Sequence, residues 1–170
     1  DELKCWVTSK ILWDPSRDEK ALAQDFIVGH YGKAAPVLAE YDALLYKALA
    51  DHAKEMATPG GGIRYPMDAP FITKEFITKA TELFARAKEL AQGDEALTRR
   101  VERAELPILY VQCVRGPEFT GSAYARVVGD FERIGRREKI VQLHEAWDAN
   151  EFASRLAEFK GRIPKPTSKP

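Results

Sequence analysis

The sequence has little cysteine, no net charge and no long hydrophobic run. Its 170 residues include two cysteines, and 26 lysines and arginines balance 26 aspartates and glutamates. A chain without net charge has no overall field that would attract nucleic acid or an acidic membrane surface. A transmembrane helix needs about 18 consecutive apolar residues, and no such run is present. We therefore expect neither a nucleic-acid partner nor a membrane partner.

The few cysteines and histidines show no metal-binding spacing. Cys5 and Cys113 lie far apart, and neither belongs to a CxxC pair. The three histidines, His30, His52 and His144, form no HxxxH or HExxH pattern. We interpret both cysteines as buried thiols and His30 as a cationic group at a helix C-terminus. No metal site and no cofactor site are predicted.

The remaining composition is that of an ordinary globular protein. Apolar residues make up 45% and charged residues 31% of the chain, which excludes a wholly disordered protein. We expect a single domain over residues 1–163 and a flexible, proline-rich tail over 164–170. The sequence begins at Asp1 without methionine and without a signal-type segment, which we interpret as a processed chain or an excised fragment.

Apolar residues recur at intervals of three and four through most of the chain, which predicts an all-α protein. We predict an irregular bundle of about seven helices, separated at proline and glycine residues. The expected helices cover about residues 3–13, 16–31, 36–56, 73–92, 95–115, 121–134 and 150–160. Residues 58–71, rich in proline and glycine, are expected to form a loop. A short extended segment over 138–143 is the only β element expected.

Three local signals predict details of these helices. Ser16 and Glu19 have the spacing of a capping box at the start of the second helix. Thr73 has the side chain of an N-cap for the fourth helix. Pro107 lies inside the fifth helix, where it lacks a backbone donor and its ring clashes with the carbonyl of Arg103. We therefore predict a bend or a break between Arg103 and Pro107.

The charged residues show no catalytic pattern. Carboxylates at helical spacing with basic residues, such as Glu102 and Glu105, are interpreted as parts of solvated faces. A glycosidase needs two carboxyl groups about 5–10 Å apart in a cleft, and the sequence singles out no such pair. The basic cluster between Arg133 and Lys139 lacks interleaved aromatic residues and is interpreted as a solvated turn. No catalytic residue is therefore predicted.

The first predicted helix is apolar on every side. At about 100° per residue its apolar side chains fall in all four quadrants. They are Leu3, Cys5, Trp6, Val7, Ile11, Leu12 and Trp13. Because a terminal helix packs on its bundle from one side only, we expect some of these side chains to contact a neighbour that lies outside this sequence. The alternative is that the bundle itself wraps the helix.

Several stretches of the sequence resemble one family of bacterial proteins. They are WVTSKILWDP at 6–15, Asp18, FIVGHYGKAAP at 26–36, YDALL at 41–45, APFIT at 69–73 and RVERAELPILY at 100–110. They are similar to the family known as domain of unknown function 4838, whose theme is Leu-Trp-Asn-Pro, an acidic cap and Phe-x-x-Gly-Tyr-Tyr-Gly-x-Ala-Ala-Pro. The resemblance covers about residues 2–160. It departs from the theme at Asp14, where asparagine is usual, and at His30, where tyrosine is common.

This resemblance implies a position within a larger protein. Members of the family are typically secreted, similar to glycoside hydrolases, and carry a (β/α)₈ barrel before a helical C-terminal region. The active site of such a barrel lies at the C-terminal ends of its strands, and none of those strands is present here. The resemblance therefore implies a non-catalytic accessory domain whose partner is the missing barrel, with an extracellular or periplasmic location. Leu3, Trp6 and Trp13 are the candidate barrel contacts. Bordering the barrel groove and forming a homodimer are further roles left open.

Two other functions are compatible with the sequence. A free-standing interaction module would bind a partner peptide in a groove lined by the first helix. A helical carbohydrate-binding module would stack sugars on exposed aromatic rings, and the candidates are Tyr65, Phe119 and Trp147, which lie in the less periodic stretches. The coding sequence upstream of Asp1 distinguishes the first alternative from an accessory domain, and a glycan pull-down tests the second.

Overall fold

A computed structural model describes residues 2–56, 66–143 and 150–164. Helix accounts for 81% of these residues, and none of them forms a strand. The helices are α1 (Glu2–Trp13), α2 (Glu19–Tyr31), α3 (Ala35–Asp51), α4 (Ala53–Met56), α5 (Lys74–Ala91), α6 (Glu95–Arg115), α7 (Pro117–Thr120), α8 (Tyr124–Arg137) and α9 (Glu151–Gly161). α4 and α7 are single turns, so the predicted all-α bundle of about seven helices is confirmed. Residues 138–143 form no strand, so the short β element expected there is not present.

The start of α2 differs from the prediction. Asp18 is the N-cap, and its Oδ1 accepts a hydrogen bond from the backbone nitrogen of Ala21 at 3.0 Å. Ser16 instead donates its hydroxyl to Asp14, with an oxygen–oxygen distance of 2.7 Å. The predicted capping box is therefore wrong, because an acidic side chain two residues later satisfies the free amide of the first turn.

The predicted starts of α5 and α6 agree with the structure. Thr73 Oγ1 accepts a hydrogen bond from the backbone nitrogen of Phe76 at 3.0 Å, as expected of an N-cap. Asp94 caps α6 in the same way through the backbone nitrogen of Leu97 at 2.9 Å. α6 then continues without interruption to Arg115 although it contains Pro107. The helix is not broken at the proline, and a bend there stays a prediction.

α6 separates two apolar cores. The first core lies between α2, α3, α5 and one face of α6, to which Val101 and Ile108 belong. The second core lies between α8, α9 and another face of α6, to which Leu109 and Cys113 belong. Because adjacent residues of one helix point in different directions, the same turn of α6 can contribute side chains to both cores. Its middle therefore lies where the two halves of the bundle meet.

The cysteines lie in different surroundings. Cys113 is fully buried in the second core, whereas Cys5 on α1 is exposed, and neither forms a disulfide. The interpretation of both as buried thiols is therefore wrong for Cys5, because the bundle covers α1 on one side only. None of the helices in the described ranges is long and apolar enough to cross a membrane.

Candidate functional site

Most apolar side chains of α1 are incompletely covered. Val7 is its only buried residue, and Leu3, Trp6 and Ile11 are partly buried. At the end of the helix Leu12 is 80% exposed and Trp13 is 91% exposed. The expected exposure of apolar side chains on this helix is therefore present. That Leu3, Trp6 and Trp13 contact a barrel stays a prediction.

The covered side of α1 is attached by an aromatic contact and by ion pairs. The ring centroid of Trp6 lies 6.1 Å from that of Phe26 on α2. Glu2 Oε1 lies 2.7 Å from Arg103 Nη2 on α6, and Glu2 Oε2 lies 3.2 Å from His30 Nε2. Burial lowers the pKa of His30 more than the nearby Glu2 raises it. His30 lies in the last turn of α2, as expected, and its role as a cationic group there stays a prediction.

Two carboxylates of α6 are buried, contrary to the solvated faces expected from their spacing. Glu105 is 3% exposed, and its two oxygens accept hydrogen bonds from Lys88 Nζ on α5 at 2.8 and 2.7 Å. Glu102 is 6% exposed and accepts hydrogen bonds from Arg133, at 2.8 Å, and from Arg137 on α8. The sequence interpretation fails because α5 and α8 flank α6 and cover these carboxylates.

The basic cluster at the end of α8 is neutralised by carboxylates. Arg136 Nε lies 2.9 Å from Glu132 Oε1, and Arg137 Nε lies 2.9 Å from Glu138 Oε1. Since Arg133 and Arg137 also bind Glu102, these arginines hold helices together. Across the described ranges, no three His, Cys, Asp or Glu side chains come together in an arrangement that could hold a metal ion.

A groove of about 940 Å³ lies between the two cores, beside the middle of α6. We call it the central groove. Its apolar walls come from α1, α2, α3, α6, α8 and the segment after α8. They include Leu3, Ile27, Leu38, Leu45, Leu106, Pro107, Phe131, Ile140 and Leu143. Its volume lies in the range of small-molecule sites, about 300–1,000 Å³.

A few polar groups converge in the central groove. Asp42 and Tyr41 come from α3, Tyr31 from α2 and Arg103 from α6. Burial raises the pKa of Tyr41 to about 12, with further contributions from Asp42 and Tyr31. Burial also raises the pKa of Tyr31 to about 12, with Glu2 adding to the effect and Arg103 opposing it. An apolar groove with a small set of convergent polar groups is the usual form of a ligand site.

None of these polar residues was predicted as a site residue, although the sequence contains a signal for one of them. Tyr41 fits the apolar stripe of the third helix and gives no separate indication. Asp42 lies four residues after Leu38 and three residues before Leu45, so all three share one side of α3. A lone carboxylate within an apolar stripe is the pattern that indicates the site.

The candidate sugar contacts are not brought together by the described residues. Phe119 is partly buried against the first core, and the guanidinium carbon of Arg115 lies 4.5 Å from the centroid of its ring. Tyr65 and Trp147 lie outside the described residues, as does His144. Sugar contact by these aromatic residues stays a prediction.

The architecture is that of an all-α domain with two cores and a groove between them. Residues 1–43 match the family described as Domain of unknown function (DUF4838), and this match supports membership of that family. The matched segment comprises α1, α2 and the first half of α3, and therefore supplies one wall of the central groove. No curated protein and no solved structure matches the chain.

Proposed function

We propose that this chain is a non-catalytic helical accessory domain of a larger protein, in which α1 docks against a neighbouring (β/α)₈ barrel. The observation that carries the proposal is the exposure of Leu12 and Trp13 on adjacent positions of α1. Large apolar side chains grouped on a surface mark a contact site more often than scattered ones do. The resemblance to secreted, glycoside-hydrolase-like proteins supports a barrel as the neighbour and an extracellular or periplasmic location.

In this proposal the chain alone hydrolyses no glycoside. The two buried carboxylates of α6 support this view, because Glu102 is held by two arginines and Glu105 by Lys88. A general acid or base must instead reach the substrate in an open cleft. A panel of aryl glycosides should therefore show no turnover. Hydrolysis that is abolished by one Asp or Glu substitution in this chain would overturn the proposal.

The first test of the docking role is the sequence encoded upstream of Asp1. A barrel of this class needs about 250 residues. An open reading frame of that length, with alternating strand and helix patterns, is the expected result. A short upstream sequence would instead favour the free-standing interaction module.

The second test compares Trp13→Ser in the isolated chain and in the longer protein. Because Trp13 is 91% exposed here, the substitution should change the free energy of unfolding of the isolated chain by less than about 0.5 kcal/mol. In the longer protein it should cost about 1.5–3 kcal/mol, the contribution of one large buried side chain. Tyr46→Ser on α3 is the matched control, since Tyr46 is 59% exposed and has no place in the proposed contact. Equal effects of Trp13→Ser in both proteins would contradict docking through α1.

A further inference from the structure

Asp42 differs from the other partly buried carboxylates of the described residues. Glu2, Glu105 and Glu138 each lie within 2.8 Å of an arginine or lysine nitrogen. Glu102, Asp130 and Glu132 have such partners as well, and Glu151 accepts a hydrogen bond from a backbone nitrogen. Asp42 has neither a hydrogen bond nor an ion pair within the described part of the chain. Burial alone raises its pKa, and no cation opposes that shift.

The surroundings of Asp42 favour a positive charge. Tyr41 and Tyr46 are close enough for its charge to raise their pKa values further, and Glu19 adds to the effect on Tyr46. Arg103, across the groove, is already paired with Glu2 and Glu138. The carboxylate therefore leaves the central groove with one uncompensated negative charge. Such a charge at an apolar wall is costly unless a cation pairs with it.

We propose that the central groove binds a small organic ammonium ion, with Asp42 as its counterion. The walls formed by Leu38, Leu45 and Leu106 take the apolar body of the ligand, and the rings of Tyr31 and Tyr41 lie beside the cation. Aromatic rings attract ammonium groups through their negative faces. An alkyl or aryl ammonium ion combines the single positive charge with the apolar surface that this groove complements. The proposal does not depend on the docking of α1.

A metal ion and a basic peptide fit these observations less well. A hard cation such as Ca²⁺ needs about six to eight oxygen ligands, with carboxylates prominent among them. Among the described residues that line the groove there are two carboxylates, and that of Glu2 is already paired with Arg103, which leaves Asp42. A peptide carrying several basic residues would need several carboxylates, and Glu2, the other acidic residue that lines the groove, is already paired with Arg103. A monovalent ligand of limited size matches one free charge in a groove of about 940 Å³.

The test uses three shape-matched probes and the full 170-residue chain. Phenethylammonium, phenethyl alcohol and 3-phenylpropionate share an aromatic body and carry a positive, a zero and a negative charge. Isothermal titration calorimetry should show that phenethylammonium binds at least about tenfold more tightly than phenethyl alcohol. It should detect no binding of 3-phenylpropionate. Equal affinities for the alcohol and the ammonium ion, or no ammonium binding up to millimolar concentration, would overturn the proposal. So would binding of a lysine-rich peptide with no binding of phenethylammonium.

One substitution and its control test whether Asp42 is the counterion of the bound ammonium ion. Asp42→Asn should weaken phenethylammonium binding by about 10- to 100-fold, the range for a hydrogen-bonded charge, and should leave the alcohol unaffected. It should also preserve folding, because it removes a partly buried charge that has no partner among the described residues. Asp25→Asn on the exposed side of α2 is the control and should leave both affinities unchanged. If Asp42→Asn binds phenethylammonium as tightly as the unsubstituted chain does, Asp42 is not the counterion and the proposal fails.

Discussion

Glu102 and Glu105 are both buried on the same helix, yet the pKa values of their carboxyl groups shift in opposite directions. Burial is the largest influence on each and raises both values. At Glu102 the hydrogen bonds from Arg133 and Arg137 outweigh burial, and the pKa lies below its ordinary value. At Glu105 the single partner Lys88 does not outweigh it, and the pKa is raised. The hydrogen bonds and charges around each carboxylate therefore set the direction of its pKa shift, and at Glu105 the nearby Asp130 and Glu102 add to the rise.

Removing Lys88 should destabilise the fold by leaving Glu105 without a partner. We expect Lys88→Met to cost about 1–3 kcal/mol at neutral pH, the penalty of an unsatisfied buried acceptor. Lys88 remains 34% exposed, which places the cost towards the lower end. Lys79→Met on the same helix is the control. Lys79 forms an exposed pair with Glu75, so urea unfolding should show no measurable change.

The cost of Lys88→Met should depend on pH in a defined direction. Because the folded chain holds the Glu105 proton more tightly than the unfolded chain, the stability contributed by Glu105 falls as pH rises from about 4.5 through its raised folded pKa. Below that folded pKa the carboxyl is neutral and needs no cation, so the loss caused by Lys88→Met should shrink. A loss of constant size from pH 4 to pH 8 would contradict the raised pKa.

The free-energy cost of Glu102→Gln should change with pH in a lower pH range than the cost of Lys88→Met. The folded pKa of Glu102 is depressed, so the stability it contributes is present above about 4.5 and is lost as pH falls through the folded value. At neutral pH we expect the substitution to cost about 1.5–3 kcal/mol, the range for hydrogen bonds to charged groups. Urea unfolding of Glu102→Gln and of the unsubstituted chain should give converging free energies only below about pH 4.5. The free energy of unfolding of Lys88→Met should likewise approach that of the unsubstituted chain at low pH. If Glu102→Gln converges with the unsubstituted chain at a higher pH than Lys88→Met does, the directions of the two pKa shifts are assigned the wrong way round.

The fold was largely predictable from the sequence, whereas the surroundings of individual charges were not. Spacing along one chain identifies helices such as α6, whose predicted bounds agree with the structure. It cannot show that α6 has neighbours on two sides, so that Glu102 faces α8 and Glu105 faces α5. The uncovered side of α1 was predictable because it requires only the pattern of one helix. The pairing of Asp42 depends on which cations reach it from other helices, and local spacing contains no such information.

The close approach of α8 and α9 requires a glycine at position 135. A Cβ atom added to Gly135 would collide with the ring of Phe152, which is 5% exposed in the second core. We therefore expect Gly135→Ala to destabilise the chain by about 1–3 kcal/mol, the range for an overpacked core. Gly129→Ala on the same helix is the control. No atom lies within 4 Å of the position that a Cβ would take there, so alanine should stabilise the helix by about 0.5–1 kcal/mol. Thermal unfolding of both variants measures the difference, and a tolerated alanine at 135 would show that the ring of Phe152 can move aside.

The two thiols should report separately on the surface and on the second core. Cys5 is exposed, whereas Cys113 is fully buried and burial raises its pKa to about 12. Because the thiolate is the reactive form, a disulfide reagent at pH 8 should modify Cys5 rapidly in the folded chain. Cys113 should react only when the second core opens, at a rate that rises with urea.

Cys5→Ser provides the decisive sample for this measurement. The folded variant should release almost no chromophore from the reagent, and one equivalent should appear on unfolding. Cys113→Ser should show the reverse, with one equivalent released at once and no further release in urea. Rapid modification of Cys113 in folded Cys5→Ser would mean that α9 leaves α6 and α8 readily. The closed second core, to which Cys113, Phe131 and Phe159 belong, would then not be the stable arrangement.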